Sequence, residues 1–398
     1  MNCPIIYAKL VVRAQFRSIC SSIRDPSKDF PPSYGRLLST PPPEQNAGAR
    51  PPWLQHSFPN MSQKDAVVDL QTQAYEALNS YFQVHEKHVT EIEILPPAIK
   101  PPDGILMQDD CNLGIPKKIL ALAFIEARKR FFTDDFQSLR LQATKVLLLF
   151  DPEYLAAANY RKQRLVELKT DTSSEAQLAY RKAVKYEFCF LDSILTSPLH
   201  RQSKSPTLWH HRLWLLGLLM PQDKESVPED ARTDFWRKEL NAVCKSGEQH
   251  PKNYYAWQYA RRLEERVDGL DATLDFAQRV KDWCCKHPSD ISGWSCLLHL
   301  VPKVEPPSDR QALVRSVLKY AIDLRSEHES LWVFIRTILA HDALQDWRAG
   351  LVSMLQKYHK ELESDGEPSA LSVLISRSFD WITTHGKPIE SADTLGSN

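Results

Sequence analysis

The sequence predicts an all-α protein, a solenoid of stacked helical hairpins. Two observations predict this fold. From about residue 64 onward, apolar residues recur at spacings of three and four in blocks separated by short polar or proline-containing turns, with no sustained alternation of period two. In addition, Trp209, Trp257, Trp294 and Trp332 are 48, 37 and 38 residues apart, and a repeat near 40 residues is typical of stacked hairpins.

Bulk composition argues against several other classes. The apolar stretches Lys145–Phe150 and Leu213–Met220 are far shorter than the roughly 20 residues that cross a bilayer, so we expect no membrane span. Fifty Lys and Arg balance fifty Asp and Glu, which leaves no net field to attract nucleic acid. Only 12 glycines and the lack of a Gly-x-Gly-x-x-Gly or Gly-x-x-x-x-Gly-Lys motif argue against phosphate-loop chemistry.

The eight cysteines are scattered and include no Cys-x-x-Cys pair, as expected for reduced thiols in a cytoplasmic protein. The run Cys284-Cys285-Lys286-His287 most resembles a set of metal ligands, but it lacks a second pair at zinc spacing. We therefore expect no metal site in this chain.

The N-terminal segment differs in composition from the rest. Ten of the 27 prolines lie in residues 1–60, which predicts a disordered segment because proline blocks helices. Residues 1–24 carry four basic and no acidic side chains, the composition of a mitochondrial transit peptide. Mitochondrial import and a chain that starts at Met61, where a helical pattern opens, are two alternatives to a disordered segment of a cytoplasmic protein.

After residue 60 we predict three segments: N-terminal helices at 61–133, hairpin repeats at 134–386 and a disordered tail at 387–398. Each repeat pairs a tryptophan-marked helix with a preceding partner helix, and neighbouring hairpins must stack to cover their apolar stripes. The predicted partner helices are Asp135–Leu149, Ala176–Leu195, Asp234–Lys245, Leu274–Lys286 and Gln311–Leu324, and a sixth hairpin joins Gln345–Leu362 to Ser369–His385.

A recurring helix start precedes the tryptophans. Proline stands six residues before the tryptophan in Pro251/Trp257 and Pro288/Trp294, where it favours a first helical turn. The first and last repeats keep the proline at this spacing but lack the tryptophan: Ala158 follows Pro152, and Leu374 follows Pro368. An arginine follows the tryptophan slot by three residues (Arg161, Arg212, Arg377) or four (Arg261, Arg336), whereas the fourth hairpin has Leu297. We expect the tryptophans to fill the interfaces between hairpins and to carry no chemistry.

Two segments, PKNYYAWQYARR at 251–262 and LWHHRLW at 208–214, resemble the repeat of protein prenyltransferase α subunits. The resemblance covers roughly residues 135–385 and is greatest to the protein prenyltransferase α-subunit repeat-containing proteins. It implies a right-handed superhelix of hairpins wrapped around a β subunit that holds zinc and most of the isoprenoid pocket. Together they would transfer farnesyl or geranylgeranyl from its diphosphate to a cysteine near the C-terminus of a substrate protein.

The resemblance also implies site residues. Lys204 and Lys252 both stand five residues before a tryptophan, the slot in which family lysines act catalytically on the isoprenoid diphosphate. Asn253 and Tyr254 occupy the family's diphosphate-binding Asn-Tyr pair. The pattern departs at Ser205-Pro206, which replaces the Asn-Tyr pair after Lys204, and at Ala260, where the third repeat usually has arginine.

Other interpretations remain open. Lys204 and Lys252 could be solvated residues at helix starts, or remnants of repeat ancestry, and the chain would then be a non-catalytic solenoid scaffold for a partner protein. The adjacent pair His210-His211 does not suggest a metal or acid–base site, because successive helical residues point about 100° apart.

Overall fold

We analysed a computed structural model of the chain, which describes residues 63–219, 229–267, 269–364 and 370–387. Several sequence predictions lie outside these ranges. They are the disordered segment 1–60, the transit peptide at 1–24, a start at Met61, the slot at Pro368, and the tail beyond Lys387.

The described residues form six hairpins, and the predicted all-α solenoid is confirmed. They pair α3 (Gln137–Phe150) with α4 (Leu155–Thr170), α5 (Ser174–Leu195) with α7 (Pro206–Leu219) across the one-turn α6 (His200–Ser203), α8 (Glu229–Gln249) with α9 (Tyr254–Glu264), α10 (Leu270–Lys286) with α11 (Ile291–Leu300), α12 (Pro307–Asp323) with α13 (Glu329–Ala340), and α14 (Gln345–Ser364) with α15 (Ala370–His385). Short 3-10 helices at Val301–Lys303 and Asp342–Leu344 join neighbouring hairpins.

The hairpins stack in two layers. The marked helices α4, α7, α9, α11, α13 and α15 pack each on the next, and α5, α8, α10, α12 and α14 do the same in a second layer. Because corresponding turns of successive hairpins then lie side by side, residues about 40 positions apart in the sequence come into contact.

A small sheet precedes the repeats. It comprises β1 (Glu91–Leu95), β2 (Met107–Asp109) and β3 (Asn112–Pro116), between α1 (Gln63–Val84) and α2 (Lys117–Thr133). β3 is central, parallel to β1 and antiparallel to β2. The prediction of helices throughout 61–133 missed this sheet, because strands of three to five residues are too short to establish a period of two.

The sheet is fixed to the solenoid through α5 and the residues that follow it. The amide of Thr90 donates to Ser193 Oγ at 2.9 Å, and the amide of Ile92 donates to Ser197 Oγ at 2.8 Å. These hydroxyls satisfy backbone donors at the edge strand, so the N-terminal part packs on the repeats through a hydrogen-bonded contact.

The tryptophans lie where the repeat pattern predicts. Trp209, Trp257, Trp294 and Trp332 are each at most 3% exposed. Trp209 packs against Tyr259 of the following hairpin at 5.3 Å between ring centroids, and Trp294 packs against Phe334 of the next at 5.2 Å. The indoles therefore fill the interfaces between hairpins, as expected.

Two repeat arginines form buried ion pairs with the following hairpin. Arg161 Nε donates to Glu187 Oε1 at 2.7 Å, and a second nitrogen of Arg161 contacts Glu187 Oε2. Arg212 donates to both carboxylate oxygens of Glu239, at 2.8 and 3.0 Å, and its remaining nitrogen lies 2.7 Å from Asp192. Each pair ties a marked helix to the partner helix of the next repeat.

The third hairpin replaces this ion pair with apolar residues. Ala260 stands three residues after Trp257, at the arginine slot, and Phe276 stands 18 residues before Trp294, as Glu239 does before Trp257. Both Ala260 and Phe276 are completely buried. The exchange fits the general finding that a buried ion pair can be replaced by well-packed apolar residues without loss of stability.

Replacing Trp332 by alanine tests the packing role. The indole is fully buried and donates to Ser326 O at 2.7 Å, so Trp332→Ala should lower the free energy of unfolding by about 3–5 kcal/mol. Trp381, at 36% exposure, is the matched control, and Trp381→Ala should cost much less in a urea titration. Equal losses at the two positions would contradict the packing assignment.

The buried side chain of His211 should make the free energy of unfolding depend on pH. Burial lowers its pKa to about 4, even though Nε2 lies 3.4 Å from Glu187 Oε1. In the unfolded chain a histidine takes up its proton near pH 6.5, so the unfolded state binds more protons between pH 6.5 and 4. Stability from the neutral ring is therefore complete above pH 6.5 and is lost as the pH falls toward 4.

Urea unfolding of wild type and His211→Leu at pH 7 and pH 4.5 measures this loss. Leucine retains an apolar side chain at the buried position and does not titrate, so the variant should lose up to about 3 kcal/mol less than wild type between the two pH values. Parallel losses in the two proteins would rule out His211 as the source.

Candidate anion-binding site

Two lysine-bearing turns meet at one end of neighbouring hairpins. Lys204 follows α6 and precedes α7, and Lys252 precedes α9 at the same position of the next repeat. The Nζ atom of Lys204 donates to the backbone oxygen of Pro251 at 3.2 Å, so the first lysine reaches the residue directly before the second. Lys204 is half-buried and Lys252 is exposed. The structure thus brings both predicted lysines to one surface.

Asn253 is buried, and its side chain is used by the protein. Its Oδ1 atom caps α9 by accepting from the amide of Ala256 at 3.3 Å. Its Nδ2 atom donates to Ser203 O at 2.8 Å and to Ser246 Oγ at 3.0 Å. Asn253 therefore begins its own helix and also fixes the turn that carries Lys204.

Tyr254, the fourth predicted residue, lies on the surface beside this turn. Its side chain is 58% exposed, and its ring stands edge-on to that of Tyr255 at 5.4 Å. The ring is accessible to a ligand or a partner chain at the start of α9.

Two histidines that sequence reasoning missed lie beside Lys204. The rings of His200 and His250 are 5.4 Å apart in an edge-to-face arrangement. Burial, and then the positive charges of His200 and Lys204, lower the pKa of His250 to about 4, so its ring is neutral near pH 7. Its buried Nε2 atom has no hydrogen-bond partner among the described residues. The repeated His-Pro dipeptides at 250–251 and 287–288 were the available signal.

Asp290 anchors the second lysine turn from the following repeat. Its Oδ1 atom caps α11 by accepting from the amides of Ser292 and Gly293 at 2.9 and 3.0 Å. Its Oδ2 atom accepts from the amide of Lys252 at 2.6 Å. This buried carboxylate holds Lys252 with a φ of 61°, a left-handed conformation uncommon outside glycine and asparagine.

The second repeat caps its marked helix with a side-chain hydroxyl, whereas the third repeat caps its helix with a side-chain amide. Ser205 Oγ accepts from the amide of Leu208 at 3.1 Å, and it also lies 3.3 Å from Pro152 O of the preceding repeat. The Ser-Pro departure from the Asn-Tyr pattern therefore keeps both the helix cap and the link between repeats.

This group of side chains suits an anion with several oxygens. Two ammonium groups and two imidazoles lie on adjoining turns, and the positive charges of His200 and Lys204 add to burial in lowering the pKa of His250. By contrast, the described ranges contain no group of three His, Cys, Asp or Glu side chains that could hold a metal ion. In the same ranges no helix is long and apolar enough to cross a bilayer.

The fold and the paired turns define the class of protein, an α-solenoid with a cationic cluster at the turns of its second and third hairpins. A family model described as the ECM9 middle domain matches residues 208–312, from α7 into α12. Protein prenyltransferase alpha subunit repeat-containing protein 1-A of Xenopus laevis is 26% identical over 166 residues, which are 39% of this chain and 35% of that protein.

Two human proteins are also similar. Geranylgeranyl transferase type-2 subunit alpha is 28% identical over 217 residues, 52% of this chain and 34% of that protein. Protein prenyltransferase alpha subunit repeat-containing protein 1 is 21% identical over 248 residues, 50% of this chain and 58% of that protein. The chain is thus similar to proteins that carry the prenyltransferase α-subunit repeat and to a geranylgeranyl transferase α subunit. The segment that this chain matches is about a third of the length of the Xenopus protein and of the human geranylgeranyl transferase subunit.

Substitutions of Asn253 separate its two structural roles. Asn253→Ala removes the helix cap and the two hydrogen bonds that Nδ2 donates, and it should lower the free energy of unfolding by about 1–3 kcal/mol. Asn253→Asp keeps an oxygen for the cap but cannot donate to Ser203 O, so it isolates the loss of the Nδ2 hydrogen bonds. Urea titrations in which Asn253→Asp is as stable as wild type would show that these hydrogen bonds contribute nothing.

Proposed function

We propose that this chain is the α-type subunit of a heterodimeric protein prenyltransferase. With its β subunit it transfers a farnesyl or geranylgeranyl group from the diphosphate to a cysteine of a substrate protein. The observation that carries the proposal is the contact between the two lysine turns, in which Lys204 reaches the residue before Lys252. The similarity to prenyltransferase α-subunit proteins and the stacked hairpins support it.

In the proposed reaction the bond between the isoprenoid carbon and the diphosphate oxygen breaks, and negative charge grows on the leaving diphosphate. Preorganised cations and donors that meet this charge lower the barrier, since they gain interaction only as it develops. Lys204 and Lys252 supply the charge, and Tyr254 supplies a hydroxyl from the exposed start of α9.

The rest of the active site is assigned to the partner. A zinc ion held by the β subunit would bind the cysteine of the substrate protein and favour its thiolate. The isoprenoid pocket is assigned to the same subunit. The present chain would bind the β subunit along its hairpins and contribute the diphosphate contacts at the interface.

A second candidate function is a solenoid scaffold without catalysis. It is favoured by the protein contacts that the candidate residues already make. Lys204 Nζ donates a hydrogen bond to Pro251 O, and both polar atoms of the Asn253 side chain have protein partners. In that case the turns serve only to stack the hairpins, and the surface binds a partner protein.

Alanine substitutions of the two lysines in the reconstituted heterodimer test the proposal. Lys204→Ala and Lys252→Ala should each lower the prenyl-transfer rate, by up to about 10²–10³ at the more important position, because one preorganised charge is removed. Single-turnover kinetics with saturating isoprenoid diphosphate give the rate of the chemical step.

Lys357→Ala is the control, because Lys357 is an exposed lysine on α14, outside this cluster. It should leave the rate unchanged. An intact heterodimer in which the Lys204→Ala/Lys252→Ala double variant transfers as fast as wild type would remove the catalytic role and favour the scaffold.

A further inference from the structure

The tryptophan of each marked helix has a regular hydrogen bond in three of the repeats. Trp209 Nε1 donates to Ser203 O at 2.7 Å, Trp294 Nε1 to Pro288 O at 2.9 Å, and Trp332 Nε1 to Ser326 O at 2.7 Å. In each case the acceptor lies six residues before the tryptophan. The carbonyl that precedes the helix and the buried indole are therefore a matched pair of the repeat.

The third repeat breaks this rule at the candidate anion site. Trp257 is 1% exposed, and its Nε1 atom has no hydrogen-bond partner among the described residues. The carbonyl that should accept this bond, Pro251 O, accepts from Lys204 Nζ instead. A buried N–H without a partner is unfavourable, so another interaction must compensate for it.

The backbone explains the exception. In the second repeat Ser205 N donates to Gln202 O at 3.1 Å, and Lys204 has φ −100° and ψ 13°, the geometry of a type I turn. The corresponding residue of the third repeat, Lys252, has φ 61°, which is the sign that a type II turn requires at its third position. A change between these two φ values at the third residue, as between turn types I and II, accompanies a half-rotation of the central peptide, and the corresponding peptide here joins Pro251 to Lys252.

Opposite charges stand at the two ends of this peptide. Its N–H donates to the buried carboxylate of Asp290 at 2.6 Å, and its C=O accepts from the ammonium of Lys204 at 3.2 Å. Both bonds involve a charged partner, which makes them stronger than bonds between neutral groups. They offset the left-handed conformation of Lys252 and the unpaired indole of Trp257.

We infer that the Pro251–Lys252 peptide is a two-state switch and that Asp290 is the positioning residue that holds it in the orientation seen. In this orientation Pro251 O accepts a hydrogen bond from the ammonium of Lys204. An anion that binds the Lys204 ammonium removes one of the two charged bonds. The peptide then rotates and Pro251 O accepts from Trp257 Nε1, as the equivalent carbonyls do from the indoles of the other repeats. The inference rests on the proposed function in that the anion is the diphosphate of an isoprenoid substrate.

Asp290→Asn tests the role of the carboxylate. Asparagine keeps an oxygen to cap α11, but the amino group that replaces Oδ2 cannot accept from the Lys252 amide. The readout is the ¹H–¹⁵N resonance of the Trp257 indole in the full chain, assigned with Trp257→Phe. In Asp290→Asn it should move downfield, and its exchange with solvent should slow. Asp275→Asn is the control: it removes one carboxylate from α10, away from the Lys252 turn, and should leave the Trp257 resonance unchanged.

Inorganic pyrophosphate tests the coupling to an anion. Saturating pyrophosphate should move the Trp257 resonance of wild type in the same direction as Asp290→Asn does. Asp290→Asn should also bind pyrophosphate more tightly, by a factor of about 5 or more, because Lys204 is already released. Lys204→Met should show the shifted resonance without any anion and gives a second route to the rotated peptide.

The outcomes separate the switch from the proposed function. A Trp257 resonance that Asp290→Asn and Lys204→Met both leave in place, in folded proteins, overturns the switch even if the heterodimer is active. A response to both variants but not to pyrophosphate overturns the coupling to an anion. A full response in a chain that supports no prenyl transfer retains the switch and removes the enzymatic proposal.

Discussion

The stacking of one marked helix on the next is the constraint on which the rest of this structure depends. A single hairpin leaves an apolar stripe uncovered, and buried indoles fill the space between the second and third hairpins and between the fourth and fifth. Stacking also places equivalent turns side by side. That is why Lys204 and Lys252, 48 residues apart in sequence, belong to one surface.

The turns are more than connectors, because each contributes polar atoms to its neighbour. Asn253 reaches back to the turn of Lys204, and Asp290 reaches back to the turn of Lys252. Each side chain also caps its own helix, so one residue both begins a helix and fixes the preceding repeat. A ligand that disturbs one turn is therefore coupled to the packing of the next hairpin.

Much of the fold could be predicted from the sequence because its period is long and regular. The partner helices lie within a few residues of their predicted bounds, as in Gln345–Ser364 against the predicted 345–362. The sheet at Glu91–Pro116 could not be predicted, because its strands are short and β3 contains glycine and proline. The apolar pair Ala260 and Phe276 was noted only as a missing arginine, since a repeat pattern records which residue is absent and not what compensates.

The candidate site was predicted in part. Position within the repeat identified Lys204, Lys252, Asn253 and Tyr254, and the structure brings their turns together. Asp290 was missed because its partner is a backbone amide 38 residues away, and His250 because one histidine beside a proline carries little information. The orientation of the Pro251–Lys252 peptide has no signature in the sequence, since lysine at a left-handed position is set by the carboxylate beneath it.

Isolation of the tagged full-length chain from its native cells, with identification of the protein that accompanies it in equal amount, tests the central claim most directly. An α-type subunit should carry a prenyltransferase β subunit as a stable one-to-one partner. Recovery of the chain with an unrelated protein in that position, and with no β subunit, would contradict the account and leave a solenoid scaffold.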